Sequence, residues 1–305
     1  MSFKFLGLKF GLMVFLLCGF LGFGTLFASA EEELTRGSQE NPVRMMFVPS
    51  GDAQVILEGG REIARLLHSA TGLYFKTAVA TSYASVIEAM GAGKVDIGWL
   101  ATLSYVLAKK KYDVDLLLIV VRFGSPFYRG QIVVHSNSGV KTLADLKGKT
   151  FAFVDPASTS GHLYPKALLL ANGLNPDTLF SRMQFAGSHN AVILSILRGE
   201  VDAGATYDDA RAAVAKTFPD VFKKTRVIEY TDDIPNDTVT ARKDLPQAVK
   251  DKIKNGLRQI SKTPEGSKIL KQVYGISGLM DFDAFFDPVR EMGGLLGLNL
   301  EKQNP

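Results

Sequence analysis

The chain of 305 residues carries a formal charge of +4 and a single cysteine, Cys18. So small a charge, with no run of five or more Lys or Arg, excludes an electrostatic nucleic-acid binder. A lone cysteine excludes a disulfide framework and a cysteine-based zinc site.

The first thirty residues read as an export signal. Lys4 and Lys9 are their only charges, an apolar run follows from Phe10 to Phe27, and Ala28-Ser29-Ala30 offers a small-x-small cleavage site. An uncleaved membrane anchor is the alternative, because the run is close to spanning length. Cleavage predicts a periplasmic protein of about 275 residues and charge about +2. That length exceeds what one core usually organises, so two domains are expected.

From Val43 onward short apolar runs alternate with helical periodicity. "VRMMFVP" predicts a strand, Ala53 to Ala70 an amphipathic helix, "LYFKTAVA" a strand and Tyr83 to Met90 a helix. "VDIGWL", "DLLLIVV", "QIVVHS" and "TFAFV" predict strands; a helix lies over Leu103 to Lys110 and a short one over Leu143 to Leu146. Then come a helix from Tyr164 to Ala171, the strand "RMQFAG", a helix from Asn190 to Leu197 and the strand "VDAGATY". The final third is helical, closing on "DFDAFFDPVREM". Alternation of this kind predicts an α/β protein whose mostly parallel sheets are flanked by helices.

One internal echo is more specific. "YASVIEAMGAGKVDIGWL" aligns with "HNAVILSILRGEVDAGAT" at a constant spacing of 106 residues, matching Val86 with Val192, Gly93 with Gly199 and Asp96 with Asp202. Phe47-Val48 and Phe153-Val154 share that spacing. Two related lobes are expected, with Tyr83 and His189 in equivalent places between a strand and a helix. In open α/β sheets that position borders the ligand crevice.

Ser158-Thr159-Ser160-Gly161 follows the strand over Thr150–Val154 and precedes a helix. The first turn of a helix carries unpaired amides and partial positive charge, hydroxyls add donors, and glycine admits close approach to the main chain. The group suits a tetrahedral oxyanion held without lysine or arginine. Ordinary N-capping is the alternative reading, although it needs only one hydroxyl. No Gly-Lys-Ser/Thr phosphate loop, cofactor motif or metal set accompanies it.

"DPASTSGHLYP", "GSHNAVILSILRGEVDAGATYDDA" and "IPNDTVTARKDLP", with "SYASVIEAMGAGKVDIGWLATLSYVLA", resemble the phosphate/phosphite/phosphonate-binding proteins of ABC transporters. The resemblance runs from about Val43 to Phe286. It implies the two-lobed type II periplasmic binding fold, closing on a ligand about a two-strand hinge. Lobe 1 would comprise residues 41–129 and 237–290, lobe 2 residues 130–236, with a tail over 291–305. Delivery of a phosphonate, phosphite or related phosphorus oxyanion to membrane permease subunits is implied, by a monomer that needs no cofactor and catalyses nothing.

By the same resemblance Ser158, Thr159 and Ser160 would hold the phosphorus oxygens, and His189 would donate a further hydrogen bond. Tyr83 and Tyr128 would cover the ligand from the opposite lobe. Asp237 would accept a proton from a protonated ligand oxygen. Asp209 stands where aminoethylphosphonate binders carry an amine-pairing glutamate, Asp208 being its neighbour and rival for the position. Thr102, where many relatives carry Gly-Pro, would reshape the cleft wall. Two other readings remain open: an exported hydrolase or transferase using His189 with Asp209 or Asp237, and a detached sensor domain. Of the four histidines, His68, His135, His162 and His189, the first lies on a predicted helix face and the second ends a strand, so neither suggests a triad or zinc set.

Overall fold

The computed structural model describes residues 35–281 and 286–297, so the expected signal peptide lies outside the described residues. No helix among the described residues is long and apolar enough to cross a membrane.

The chain opens with β1 (Val43–Phe47), α1 (Ala53–Thr71), β2 (Phe75–Val79), α2 (Tyr83–Gly91), β3 (Ile97–Leu100), α3 (Thr102–Tyr112) and β4 (Asp115–Arg122). It crosses through residues 123–126 into β5 (Phe127–His135) and β6 (Thr150–Phe153), then α4 (Tyr164–Ala171), α5 (Pro176–Leu179) and β7 (Arg182–Phe185). There follow α6 (His189–Leu197), β8 (Ala203–Tyr207), α7 (Arg211–Ala215), α8 (Val221–Lys224) and β9 (Thr225–Pro235). It returns through Asn236 and Asp237 into β10 (Thr238–Ala241), α9 (Gln247–Ser261), α10 (Pro264–Tyr274), β11 (Ile276–Met280) and α11 (Asp287–Leu295). Thus α11 runs through the point where a tail was expected to start.

Among the described residues the strands form two sheets, ordered β11-β4-β10-β3-β1-β2 and β7-β6-β8-β5-β9. Each is the floor of one lobe. They are mixed rather than mostly parallel, which corrects the expectation. Parallel pairing is confined to β2-β1-β3 and β7-β6-β8, where helices make the crossovers. The strands beside the two crossings, β4, β5, β9 and β10, pair antiparallel because the chain leaves one sheet and returns to it in the opposite sense.

The 106-residue echo is a repeat of hydrogen bonds. Asp96 Oδ2 accepts the Arg44 amide at 2.7 Å, and Asp202 Oδ2 accepts the Thr150 amide at 2.8 Å. Gly93 and Gly199 both end their helices at positive φ, 65° and 69°, where a Cβ would be strained. Ser82 and Ser188 cap α2 and α6 through the amides of Ser85 and Ala191. The cores differ more. The first lobe buries Phe47 stacked on Trp99 at 5.5 Å, the second Phe151 stacked on Phe180 at 4.4 Å.

Candidate functional site

The repeat sets Tyr83 and His189 as the first residues of α2 and α6, and both helices start at the junction between the lobes. A third helix, α3, starts there at Thr102. Helix starts carry amides that no intrahelical acceptor reaches. Here each start gives one to the opposite lobe. Tyr83 N–H donates to Asp155 Oδ2 at 3.3 Å, and His189 N–H donates to the Ser50 carbonyl at 3.0 Å. The Ala101 side chain cannot cap α3, and the Leu103 amide instead donates to Thr159 Oγ1 across the junction at 2.8 Å. Three partly positive helix ends therefore converge on one crevice.

The Ser158–Ser160 hydroxyls lie in that crevice, all at most 2 % exposed. The segment is a wide turn, with Leu163 N–H reaching the Ser158 carbonyl at 3.1 Å before α4 begins. Ser158 Oγ accepts the Gly161 amide at 3.1 Å, so the capping reading holds for that pair. Gly161 is also required for packing: a Cβ there would lie 2.3 Å from Val154 Cγ2, so glycine lets the turn pack against the residue that follows β6. Thr159 uses its acceptor on Leu103 and retains its hydroxyl proton to donate.

His189 is buried, and its ring chemistry follows from its partners. Tyr207 N–H lies 3.2 Å from Nδ1 and can only donate; Thr206 Oγ1 lies 2.8 Å from the same atom. Nδ1 is therefore the acceptor, and the neutral ring carries its proton on Nε2. Burial, reinforced by the Arg122 charge, pushes the pKa down to about 3. The imidazole is a fixed neutral donor.

Two tyrosines complete the group, Tyr83 from the first lobe and Tyr128 from β5 of the second sheet, which corrects the expectation that both come from the lobe opposite Ser158. The Tyr83 hydroxyl is buried and, although the Ser158 side chain is near it, no partner meets hydrogen-bond geometry. Burial, with the carboxylates of Asp237 and Asp155, raises its pKa well above the usual phenol range, against the nearby Ser158 hydroxyl. Tyr128 on β5 is also raised, first by burial and then by Asp237, against the hydroxyls of Ser160 and Thr102 and the Arg122 charge. The two phenols stay protonated, as donors. Thr102 donates to the Pro235 carbonyl at 2.6 Å, tying α3 to the end of β9.

Asp237 lies on the return crossing, and Arg122 Nη2 donates to its Oδ2 at 2.7 Å. Burial raises the Asp237 pKa and Arg122 opposes the rise. From sequence, Arg122 has no assigned role and an oxyanion site without lysine or arginine is expected; the structure sets this arginine beside Asp237 and Tyr128. The signal available was "VVRF", a charge closing an apolar strand at the carboxyl end. Asp209 and Asp208 sit at the margin: Asp209 Oδ1 accepts from Arg211 Nε at 3.0 Å and Asp208 Oδ2 from Arg129 Nη2 at 3.1 Å. A hydrolase triad is not assembled, because the His189 ring meets Thr206 and Tyr207 while Asp209 and Asp237 meet arginines.

A two-lobed α/β molecule with its polar crevice at the lobe junction is a type II periplasmic binding fold, and solved structures agree. A binding-protein component of an ABC phosphonate transporter from Pseudomonas aeruginosa superposes with TM-score 0.79 at 23 % identity, covering 85 % of this chain and 88 % of its own. A Prochlorococcus marinus protein in complex with methylphosphonate gives 0.76 at 20 % identity, covering 84 % and 98 %. The chain belongs to the family described as ABC transporter, phosphonate, periplasmic substrate-binding protein, whose sequence model matches residues 45–284. It is 30 % identical over 218 residues to the phosphonates-binding periplasmic protein of Escherichia coli, covering 70 % of this chain and 64 % of that protein. It is also 30 % identical to the phosphate-import protein PhnD of Mycolicibacterium smegmatis, over 54 % of this chain and 55 % of the relative. The chain thus spans less than two thirds of the length of these two relatives. The matched family is one of substrate-binding proteins, not an enzyme family.

Proposed function

We propose that this protein is the extracytoplasmic solute-binding component of an ABC importer. It captures a small phosphorus oxyanion between its lobes in the periplasm and delivers it, as a monomer, to the membrane permease. The observation that carries the reading is Tyr83: a phenol 1 % exposed, with no partner for its hydroxyl, beside the Ser158 turn at a helix start. Buried polar atoms without partners are rare in native proteins, and one facing a cluster of donors suits a polar ligand.

The proposed ligand contacts are Ser158, Thr159, Ser160, His189 and Tyr128 from the second lobe, Tyr83 from the first lobe and Asp237 from the return crossing. Asp209 lies at the margin. The lobes meet at the crossings through residues 123–126 and 236–237 rather than at 129/130, which would split β5; they rotate about those crossings, and closure excludes water from the hydrogen bonds to the anion. Neutral donors and helix ends suit phosphate, phosphite and phosphonates, which share the tetrahedral oxyanion. A thermal-shift panel of methylphosphonate, phosphite, phosphate and sulfate tests the reading. A concentration-dependent rise with at least one phosphorus anion, and none with sulfate, is expected. No rise with any phosphorus anion at millimolar concentration refutes it.

A further inference from the structure

We propose that Arg122 determines specificity, by pairing with the cleft carboxylate Asp237 and so selecting phosphorus oxyanions that carry no cationic tail. The inference rests on the function proposed above and narrows its substrate class.

A ligand with an ammonium tail needs an acceptor for it, preferably a carboxylate, because a cation desolvated without a partner is costly. Four carboxylates lie in or beside the crevice, and each is already engaged. Asp237 is held by Arg122 at 2.7 Å and Asp209 by Arg211 at 3.0 Å. Asp208 is held by Arg129 at 3.1 Å. Asp155 receives the Ala157 amide at 2.8 Å and the Tyr83 amide at 3.3 Å.

Arg122 is the cation that reaches the carboxylate on the return crossing. It ends β4, its side chain is 13 % exposed, and its guanidinium lies 5.9 Å from the centre of the Tyr128 ring. Its charge is felt at His189, Tyr128 and Tyr207 alike, which places it among the groups that line the crevice. A second cation brought beside these residues meets like charge in a site shielded from solvent. An anionic head group meets attraction there. Arg122 thus supplies from within the protein the positive charge that an aminoalkyl ligand would otherwise bring to Asp237.

The test compares two ligands of one length, 2-aminoethylphosphonate and n-propylphosphonate, with methylphosphonate as reference, by calorimetry at pH 7 and low salt. The wild-type protein should bind the neutral-tailed ligand at least tenfold more tightly than the amine. Arg122→Met should shrink that ratio at least fivefold and Arg122→Lys should preserve it. An amine bound as tightly as its neutral match in the wild type overturns the proposal alone. So does equal loss of both tailed ligands, which assigns exclusion to length, or an unchanged ratio in folded Arg122→Met. Binding of none of the three overturns the proposal, and overturns the proposed function as well only where phosphite and phosphate also fail to bind. The wild-type ratio decides even where Arg122→Met fails to fold.

Discussion

Arg122 and Asp237 form an ion pair at 2.7 Å between the two chain crossings, one residue closing β4 and the other preceding β10. The backbone repeats the link, since the Val120 amide donates to the Asp237 carbonyl at 2.8 Å. The hinge and the floor of the crevice are therefore the same few residues. Removing the guanidinium should leave a mostly buried carboxylate without its counter-charge. Arg122→Met is expected to lose about 2–3 kcal/mol at pH 7.5, in the range of a hydrogen bond to a charged group. Burial already raises the Asp237 pKa above its unfolded value. The folded state then binds the proton first, so the variant's deficit relative to the parent protein should shrink as pH falls through the raised pKa. Urea denaturation at pH 7.5 and 5 checks both the loss and its decrease.

His189 gives the opposite pH signature. Its folded pKa of about 3 lies below the unfolded value of about 6.5. Between those values the unfolded chain binds the extra proton, so stability should fall as pH drops through that window. At pH 5 the loss amounts to about 2 kcal/mol, at about 1.36 kcal/mol per unit. His189→Gln, which cannot titrate, should have a flatter stability profile between pH 7 and 5 than the parent protein. Parallel profiles in chemical denaturation contradict the assignment.

Tyr83→Phe should separate stability from binding. Leaving a buried hydroxyl unsatisfied costs about 1–3 kcal/mol, so removing it should stabilise the ligand-free protein by about 1 kcal/mol. The same change should weaken phosphonate binding by about tenfold, the equivalent of one hydrogen bond of about 1.4 kcal/mol. A variant that loses stability and keeps affinity shows the hydroxyl to be structural.

Ser158→Ala combined with Thr159→Ala should lower phosphonate affinity by at least about 100-fold, since each bond to a charged oxygen is worth about 1.5–3 kcal/mol. Thr159 also receives the Leu103 amide. Thr159→Ala alone should therefore speed amide exchange at Leu103, while Ser158→Ala alone leaves that amide protected. Calorimetry and hydrogen exchange read the two effects separately.

Much of the frame was legible in the sequence because its determinants are local. Glycine at helix ends, serine caps and the Val-Asp pair recur at one spacing, and Asp96 and Asp202 make the same bond in the structure. Strands that contradict local signals were missed. In β9, "TRVIEYTDDIP", charges interrupt the apolar residues because the strand lies at a sheet edge, and β11 contains Gly278. The mixed pairing was hidden because strand direction depends on where the chain crosses, which hydropathy does not encode. Arg122 escaped for a related reason: its partner lies 115 residues away. The cap on α3 could not be read either, since its acceptor Thr159 belongs to the other lobe.

That borrowed cap bears on how the molecule gapes. Tyr83, Leu103 and His189 each send an amide into the facing half, so swinging the halves apart strips acceptors from three helices at once. Water must replace them in the spread form, and the jaws resist parting even before any cargo binds. Release of a bound ligand then requires the halves to be prised apart, because its departure leaves those three stitches intact.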